Sequence, residues 1–404
     1  MQLNLEQLGG VREQLVQRHI GVVLPAQTLT ALAARQACIK RQHQARLGAV
    51  GGEMQRVKAP RAARRTNGGQ PRALPHAGHA APGVLGHEVT VKADCPDKPV
   101  CWDVGHGKFD LESGSAPKLH DLALSVRIEG AVSDTRKIRF GIREISYELS
   151  LVDKGEALQR VAVSPARGAG EQLLDVTHNA IRKVEGGWAV SLARDIAGSP
   201  ALAPVQDAAL APHLLIRVNG VPIAVRGGNW GMDDWMKRVS RERMEPYFRL
   251  HREANVNTVR NWMGQSTERV FFELADEYGL LVLNDFWLST QDHNGEPGDS
   301  ALFLANAADT VSRFQHHPSI ALWIGHNEGV PPPVLNRAFE KLVREFDGTR
   351  AYLPNSRDVN MANSGPWNYQ PPEAYFTRIG RGFSTEVGTP SLVLRPPSPP
   401  LLKA

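Results

Sequence analysis

Hydrophobic and polar residues alternate at period two in Leu122–Ile128 and again across Ile138–Leu149, the signature of half-buried strands. Val161–Val163, Trp188–Leu192 and Leu214–Val218 add shorter apolar runs separated by Gly and Pro, so this stretch predicts an all-β region. After the turn dipeptide Asn219-Gly220 the rhythm changes to strand, helix, strand, helix. Strands are predicted at Pro222–Gly227, Asn257–Trp262, Leu280–Asp285, Ser319–Gly325 and Ala351–Asn355. Helices are predicted at Arg241–Ala254, Thr267–Tyr278, Ala301–His316 and Val334–Phe346, with Gly279, His317-Pro318 and Asp347-Gly348 as stop signals. This alternation predicts a parallel sheet with helical crossovers, a (β/α)8 barrel first and a doubly wound sheet second. No Gly-rich phosphate loop follows the first strand, which weighs against nucleotide binding.

Charge and composition divide the chain. Residues 1–90 hold 12 Lys and Arg against 4 Glu, and all 26 aromatic residues lie from Trp102 onward. A basic, aromatic-free stretch has little with which to build a core or stack on bases. It is expected to be a disordered or non-native extension, with no nucleic-acid partner. No apolar run approaches the roughly 20 residues that span a bilayer, so no membrane partner is expected; no secretory signal opens the chain, which leaves the compartment open, the cytoplasm by default and the periplasm if the start is not native. Cys38, Cys95 and Cys101 form an odd, sparse set that excludes a disulfide framework and has no zinc spacing.

In a (β/α)8 barrel the chemistry gathers at the C-terminal ends of the strands. Read in order, those ends give Asn229, Trp230, Asp233 and Asp234; then Arg260, Asn261 and Trp262; then Asn284, Asp285 and Trp287; then His326, Asn327 and Glu328. A later stretch, Gly382–Gly388, ends another expected strand with Glu386. Trp, Asn and carboxylates together suit a sugar, which offers ring faces to stack on and hydroxyls to bond. Two Glu at strand ends suit glycoside hydrolysis. Other readings remain beside these: Trp230 as core, Asp233 or Asp234 and Asn327 as caps, and Arg260 as the partner that orients Glu386. His316, His317, His326 and Glu328 show no repeating ligand spacing, so no metal and no cofactor are expected.

These segments resemble glycoside hydrolase family 2, in its bacterial branch near β-mannosidases and exo-β-glucosaminidases. The resemblance is carried by Phe140–Glu144, Asn219–Trp230, Asn255–Trp262, Asp276–Trp287, His317–Glu328 and Phe383–Gly388, and covers about residues 100–392. It implies a multi-domain β plus α/β protein: an immunoglobulin-like β-sandwich followed by a TIM-barrel catalytic domain. It also implies a retaining exo-β-glycosidase that acts on a carbohydrate substrate, with β-mannoside ahead of β-glucosaminide or β-galactoside. Glu328 takes the acid/base position and Glu386 the nucleophile position. Asn327 matches the residue that bonds the sugar 2-hydroxyl, and Asp234 a sugar-binding Asp. Trp230, Arg260, Trp262, Asp285 and Trp287 complete the expected substrate-binding set. An acid/base Glu works best with its pKa raised by partial burial and a neighbouring carboxylate.

The implied division is residues 1–90 as extension, 91–149 as partial sandwich, 150–215 as a β-rich insertion, 216–392 as barrel and 393–404 as a Pro-rich tail. Residues 1–90 lack the strand pattern of the family's N-terminal jelly roll. The 193 residues from Pro212 onward fall short of the ~250 of a typical barrel. Seven candidate strands are found, the sixth near Ser364–Tyr369, and no eighth. A truncated reading frame is therefore expected, with an inactive remnant that at most binds carbohydrate as the alternative to an active enzyme.

Overall fold

A computed structural model describes residues 88–94, 101–104, 117–128, 131–206, 213–231, 236–289, 295–368, 370–379 and 382–388. The expected extension up to residue 87, Asp233, Asp234, Tyr369 and the Pro-rich tail lie outside the described residues.

The first sheet is antiparallel: β1 (Glu88–Asp94), β2 (His120–Ile128) and β3 (Ala131–Phe140), in that order. The period-two pattern continues through Phe140 without a break, yet the strand does not. It ends at Phe140, and a new strand, β4 (Ile145–Val152), opens in a different sheet. Gly141 explains the crossing. A Cβ there would stand 2.6 Å from Pro318 Cγ and 2.7 Å from Trp102 Cβ, so only glycine lets the chain pass between them. Arg143 follows and donates to the Pro318 and Ile320 carbonyls at 2.7 and 2.9 Å, pinning the crossing to the barrel.

The second sheet is built on β4, with β5 (Leu158–Val163), β6 (Leu174–Asp175), β9 (Ser191–Leu192), β10 (Leu202–Pro204), β11 (Leu214–Val218) and β12 (Val221–Pro222). β7 (Arg182–Val184) and β8 (Gly187–Ala189) form a separate hairpin between them. β4 runs across the expected boundary between residues 149 and 150, because its residues pair with β5 on one side and β11 on the other. Tyr147, on β4, is fully buried; its hydroxyl donates to Ala321 O at 2.5 Å and accepts from Ala351 N–H at 3.1 Å.

The third sheet is parallel with its five strands in chain order: β13 (Gly227–Trp230), β14 (Thr258–Asn261), β15 (Leu281–Asp285), β16 (Ile320–Ile324) and β17 (Tyr352–Leu353). Helices α1 (Arg241–Glu253), α2 (Arg269–Tyr278), α3 (Ser300–Phe314) and α4 (Pro333–Leu342) supply the crossovers. All residues of β15 and β16 are buried, as in parallel strands covered on both faces. The expected first barrel strand at Pro222–Gly227 is displaced: Val221–Pro222 pairs antiparallel with β11, and the parallel strand starts at Gly227. Close approach sets that start, since a Cβ on Gly227 would fall 1.9 Å from Thr258 O. The described residues of Ser364–Tyr369 and Gly382–Gly388 form no strand, contrary to the pattern reading.

One continuous apolar core joins the β4 sheet to the barrel, from Trp102, Tyr147 and Val161 to Phe286, Trp323 and Phe339. Phe286 stacks on Phe339 at 4.3 Å and on Trp323 at 5.8 Å. Cys101 is disulfide-bonded. No helix among the described residues is long and apolar enough to cross a membrane.

Candidate active site

Parallel strands that start at one level deliver the side chains at their C-terminal ends to one mouth, and alternation sends every second residue inward. On β13, Asn229 faces the mouth and Trp230 faces the helices. On β14 the inward residue is Arg260, and on β15 it is Asp285. Arg260 is almost fully buried and organises the cluster. Its Nε and Nη2 donate to the two Asp285 carboxylate oxygens at 3.1 and 2.5 Å. Its Nη1 donates to Glu386 Oε1 at 2.6 Å, and Nη2 also reaches Asn327 Oδ1 at 2.7 Å. With a longer bond from Nη1 to Asn229 Oδ1 at 3.4 Å, the planar guanidinium addresses four side chains from four parts of the chain, a use that suits arginine and no other cation.

Glu386 also accepts from Asn229 Nδ2 at 3.3 Å. Its side chain is 8% exposed. Burial raises its carboxyl above the ordinary glutamate value, Arg260 pulls it back down, and the charges of Glu328 and Asp285 push it up. The two glutamates therefore feel one another electrostatically. Asp285 is buried, also raised by that burial against the opposing pull of Arg260, and accepts from Met263 N–H at 3.1 Å. For Arg260, burial works to lower the pKa, but Asp285 and Glu386 outweigh it and hold the guanidinium charged.

Asn327 Oδ1 accepts from Trp262 Nε1 at 3.0 Å as well as from Arg260, which fixes the orientation of its amide. Glu328 is half-buried and adopts a left-handed backbone, φ 67°. Ser356 Oγ accepts from Glu328 N–H at 3.0 Å, Asn355 Nδ2 donates to Glu328 O at 3.4 Å, and Ser364 Oγ donates to Glu328 Oε1 at 3.2 Å.

The structure thus brings together Glu328, Glu386, Asn327, Arg260, Asp285 and Trp262. It does not bring Trp230 to them: the ring lies 5.4 Å from both Phe248 and Phe271, and its Nε1 donates to Ser266 Oγ at 2.9 Å. Trp287 also turns outward, edge-on to Phe303 of α3, with Nε1 donating to Gly264 O at 3.1 Å. Asp234 lies outside the described residues. The sequence reading missed three contributors. Asn355 and Ser356 follow β17, where the strand-end rule itself points, whereas Ser364 was read as the start of a candidate strand and not as a site residue. Among the described residues no group of three or more His, Cys, Asp or Glu is arranged to hold a metal ion.

Residues 212–361 match the family described as Glycosyl hydrolases family 2, TIM barrel domain. Over these residues the chain is similar to the TIM barrel domain of glycosyl hydrolase family 2. Relatives include the mannosylglycoprotein endo-beta-mannosidase of Lilium longiflorum, 34% identical over 219 residues, which are 43% of this chain and 23% of that protein. The beta-mannosidase of Mus musculus is 36% identical over 114 residues, covering 28% of this chain and 13% of the mouse protein. The chain thus spans under a quarter of the length of these curated relatives. Among solved structures, the Amycolatopsis orientalis exo-chitosanase superposes with a TM-score of 0.49 at 17% identity, over 73% of this chain and 29% of that one. The Dictyoglomus thermophilum beta-D-mannosidase superposes with a TM-score of 0.41 at 22% identity, over 64% and 26%.

Proposed function

We propose that this chain hydrolyses β-linked glycosides with retention of configuration, β-mannosides first. Glu386 serves as nucleophile and Glu328 as acid/base, and the sheet of β1–β3 is part of an immunoglobulin-like sandwich. The observation that carries the reading is geometric: buried Arg260 grips the Glu386 carboxylate at 2.6 Å and binds Asn327, the residue next to Glu328, at 2.7 Å. A nucleophilic carboxylate must be ionised and aimed. Arg260 and Asn229 bind the same oxygen, Oε1, which leaves Oε2 as the atom directed at an anomeric carbon.

In the first step Glu386 forms the glycosyl bond as Glu328 gives its proton to the departing glycosidic oxygen. In the second, Glu328 takes a proton from a water whose oxygen bonds to the anomeric carbon as the bond to Glu386 breaks. Asn327, with its amide oxygen fixed by Arg260 and Trp262, is suited to donate to a sugar hydroxyl. Asp285 acts by holding Arg260, and Trp262 lies beside Asn327 as a candidate wall. The mannose preference rests on the names of the lily and mouse relatives.

Turnover of an aryl β-mannoside by the full chain tests the proposal, with the first-formed anomer followed by proton NMR. The β-anomer is expected, together with loss of turnover in Glu328→Gln and a glycosyl azide product from Glu386→Gly with azide. An α-anomer as first product, or no turnover of any aryl β-glycoside by folded protein, overturns it.

A further inference from the structure

Glu328 holds a left-handed backbone conformation that a residue with a side chain adopts only under strain, and such conformations persist where the surroundings dictate them. Three bonds to Glu328 come from side chains of one segment, residues 355–365. Beyond the three bonds to Glu328, Ser356 N–H donates to His326 O at 3.2 Å, and Ser356 O accepts from Thr385 Oγ1 at 2.7 Å. Ala362 N–H donates to Phe383 O at 2.8 Å, and Gly365 N–H to Glu386 O at 3.0 Å. The segment therefore touches the backbone next to Glu328 and the backbone of the stretch that carries Glu386.

What holds the segment itself is Asn360, a fully buried residue at φ 58°. Its N–H donates to Trp188 O at 2.8 Å, its Oδ1 accepts from Val190 N–H at 3.0 Å, and its Nδ2 donates to Ser150 O at 2.6 Å. All three partners belong to the β-rich segment ahead of the barrel, outside the residues that match the family. The same segment reaches the other flank of Glu328, where His178 Nε2 donates to Pro331 O at 3.1 Å.

We propose that Asn360 is a positioning residue. It locks the 355–365 segment to the β4 sheet and β8, and so holds Glu328 in its left-handed conformation opposite Glu386. The β-rich segment then serves as a buttress of the candidate site. Asn suits the position twice over: it tolerates the left-handed region, and its amide offers a donor and an acceptor at once. The kinetic side of this inference rests on the glycosidase reading; the structural side does not.

Two variants of the full chain test it. Asn360→Gly keeps the left-handed backbone and removes the amide, and Asn360→Asp keeps an acceptor for Val190 but loses the donor to Ser150. Hydrogen exchange is read on peptides covering residues 326–330, with β15 and β16 as internal reference. Exchange at 326–330 is expected to accelerate at least ~10-fold while the reference strands stay unchanged. In an active chain kcat is expected to fall about 10–100-fold with KM held within about twofold, since a small misplacement of a catalytic group acts on the chemical step. Unchanged exchange at 326–330, acceleration spread evenly over the barrel, or an unchanged kcat overturns the role of Asn360. Local acceleration in a chain that turns over no β-glycoside supports that role and overturns the glycosidase reading instead.

Discussion

Arg260 and Glu386 meet at 2.6 Å inside the barrel mouth, and the same guanidinium binds Asp285 through two further nitrogens. Both members are almost buried, so their interaction is little screened by solvent. Removing one partner of such a group leaves the others as charges without a counter-ion. Arg260→Met is expected to cost about 3–5 kcal/mol of folding stability, read by denaturant unfolding, because Asp285 stays behind in the interior. Arg260 is also the group that lowers Glu386, so its loss moves the Glu386 titration further up. Arg260→Lys keeps the charge but not the fork. It is expected to show a smaller stability loss and a shift in the same direction.

Proton linkage at Glu386 has a definite sign. Its folded pKa lies above the ordinary value of about 4.3, chiefly through burial. Its contribution to stability is therefore fully present below that ordinary value and is lost as pH rises through the raised one. Glu386→Gln removes this loss, so the stability of the variant relative to the parent should grow with pH across that window and stay flat outside it. The nucleophile reading predicts an acid limb of kcat/KM that begins above the usual glutamate range. Because the charge of Glu328 helps raise Glu386, Glu328→Gln should move the Glu386 titration downward, followed by carbon-13 NMR of the carboxyl. A titration that stays in place would separate the two carboxylates.

The sequence carried the barrel rhythm and the strand-end residues because both follow from periodicity. The apolar runs Leu281–Asp285 and Ile320–Ile324 are read directly as buried strands, and Arg260, Asp285, Asn327 and Glu328 converge because parallel strands end at one mouth. The misses share one physical origin. Gly227-Gly228 opens β13 without side chains, so no pattern marks it, and the close approach to Thr258 that demands glycine is tertiary. Gly141 likewise divides a continuous period-two pattern only because Pro318 and Trp102 pack against it. Trp230 is at the right strand position for a sugar platform, but alternation turns its ring toward Phe248 and Phe271 while Asn229 takes the inward place. Asn360 was invisible because its partners Ser150, Trp188 and Val190 are more than 160 residues away in the chain.

The β4 sheet meets the barrel at two levels, and a mutation at each should separate stability from chemistry. Asn360 acts near the mouth. Tyr147 acts at the opposite ends of the strands, where its hydroxyl bridges Ala321, early in β16, and Ala351, just ahead of β17. Tyr147→Phe keeps the packing of a fully buried ring and removes only the hydroxyl. It leaves one buried carbonyl and one buried N–H without that partner, which is expected to destabilise the chain by about 1–3 kcal/mol. Turnover and the exchange of residues 326–330 should remain at parent levels below the unfolding transition, since no bond to Glu328 or Glu386 changes. Denaturant unfolding and exchange on the same sample check both halves. A stability loss accompanied by accelerated exchange at 326–330 would mean that the two levels form a single cooperative unit, and that the mouth is held by the sheet as a whole.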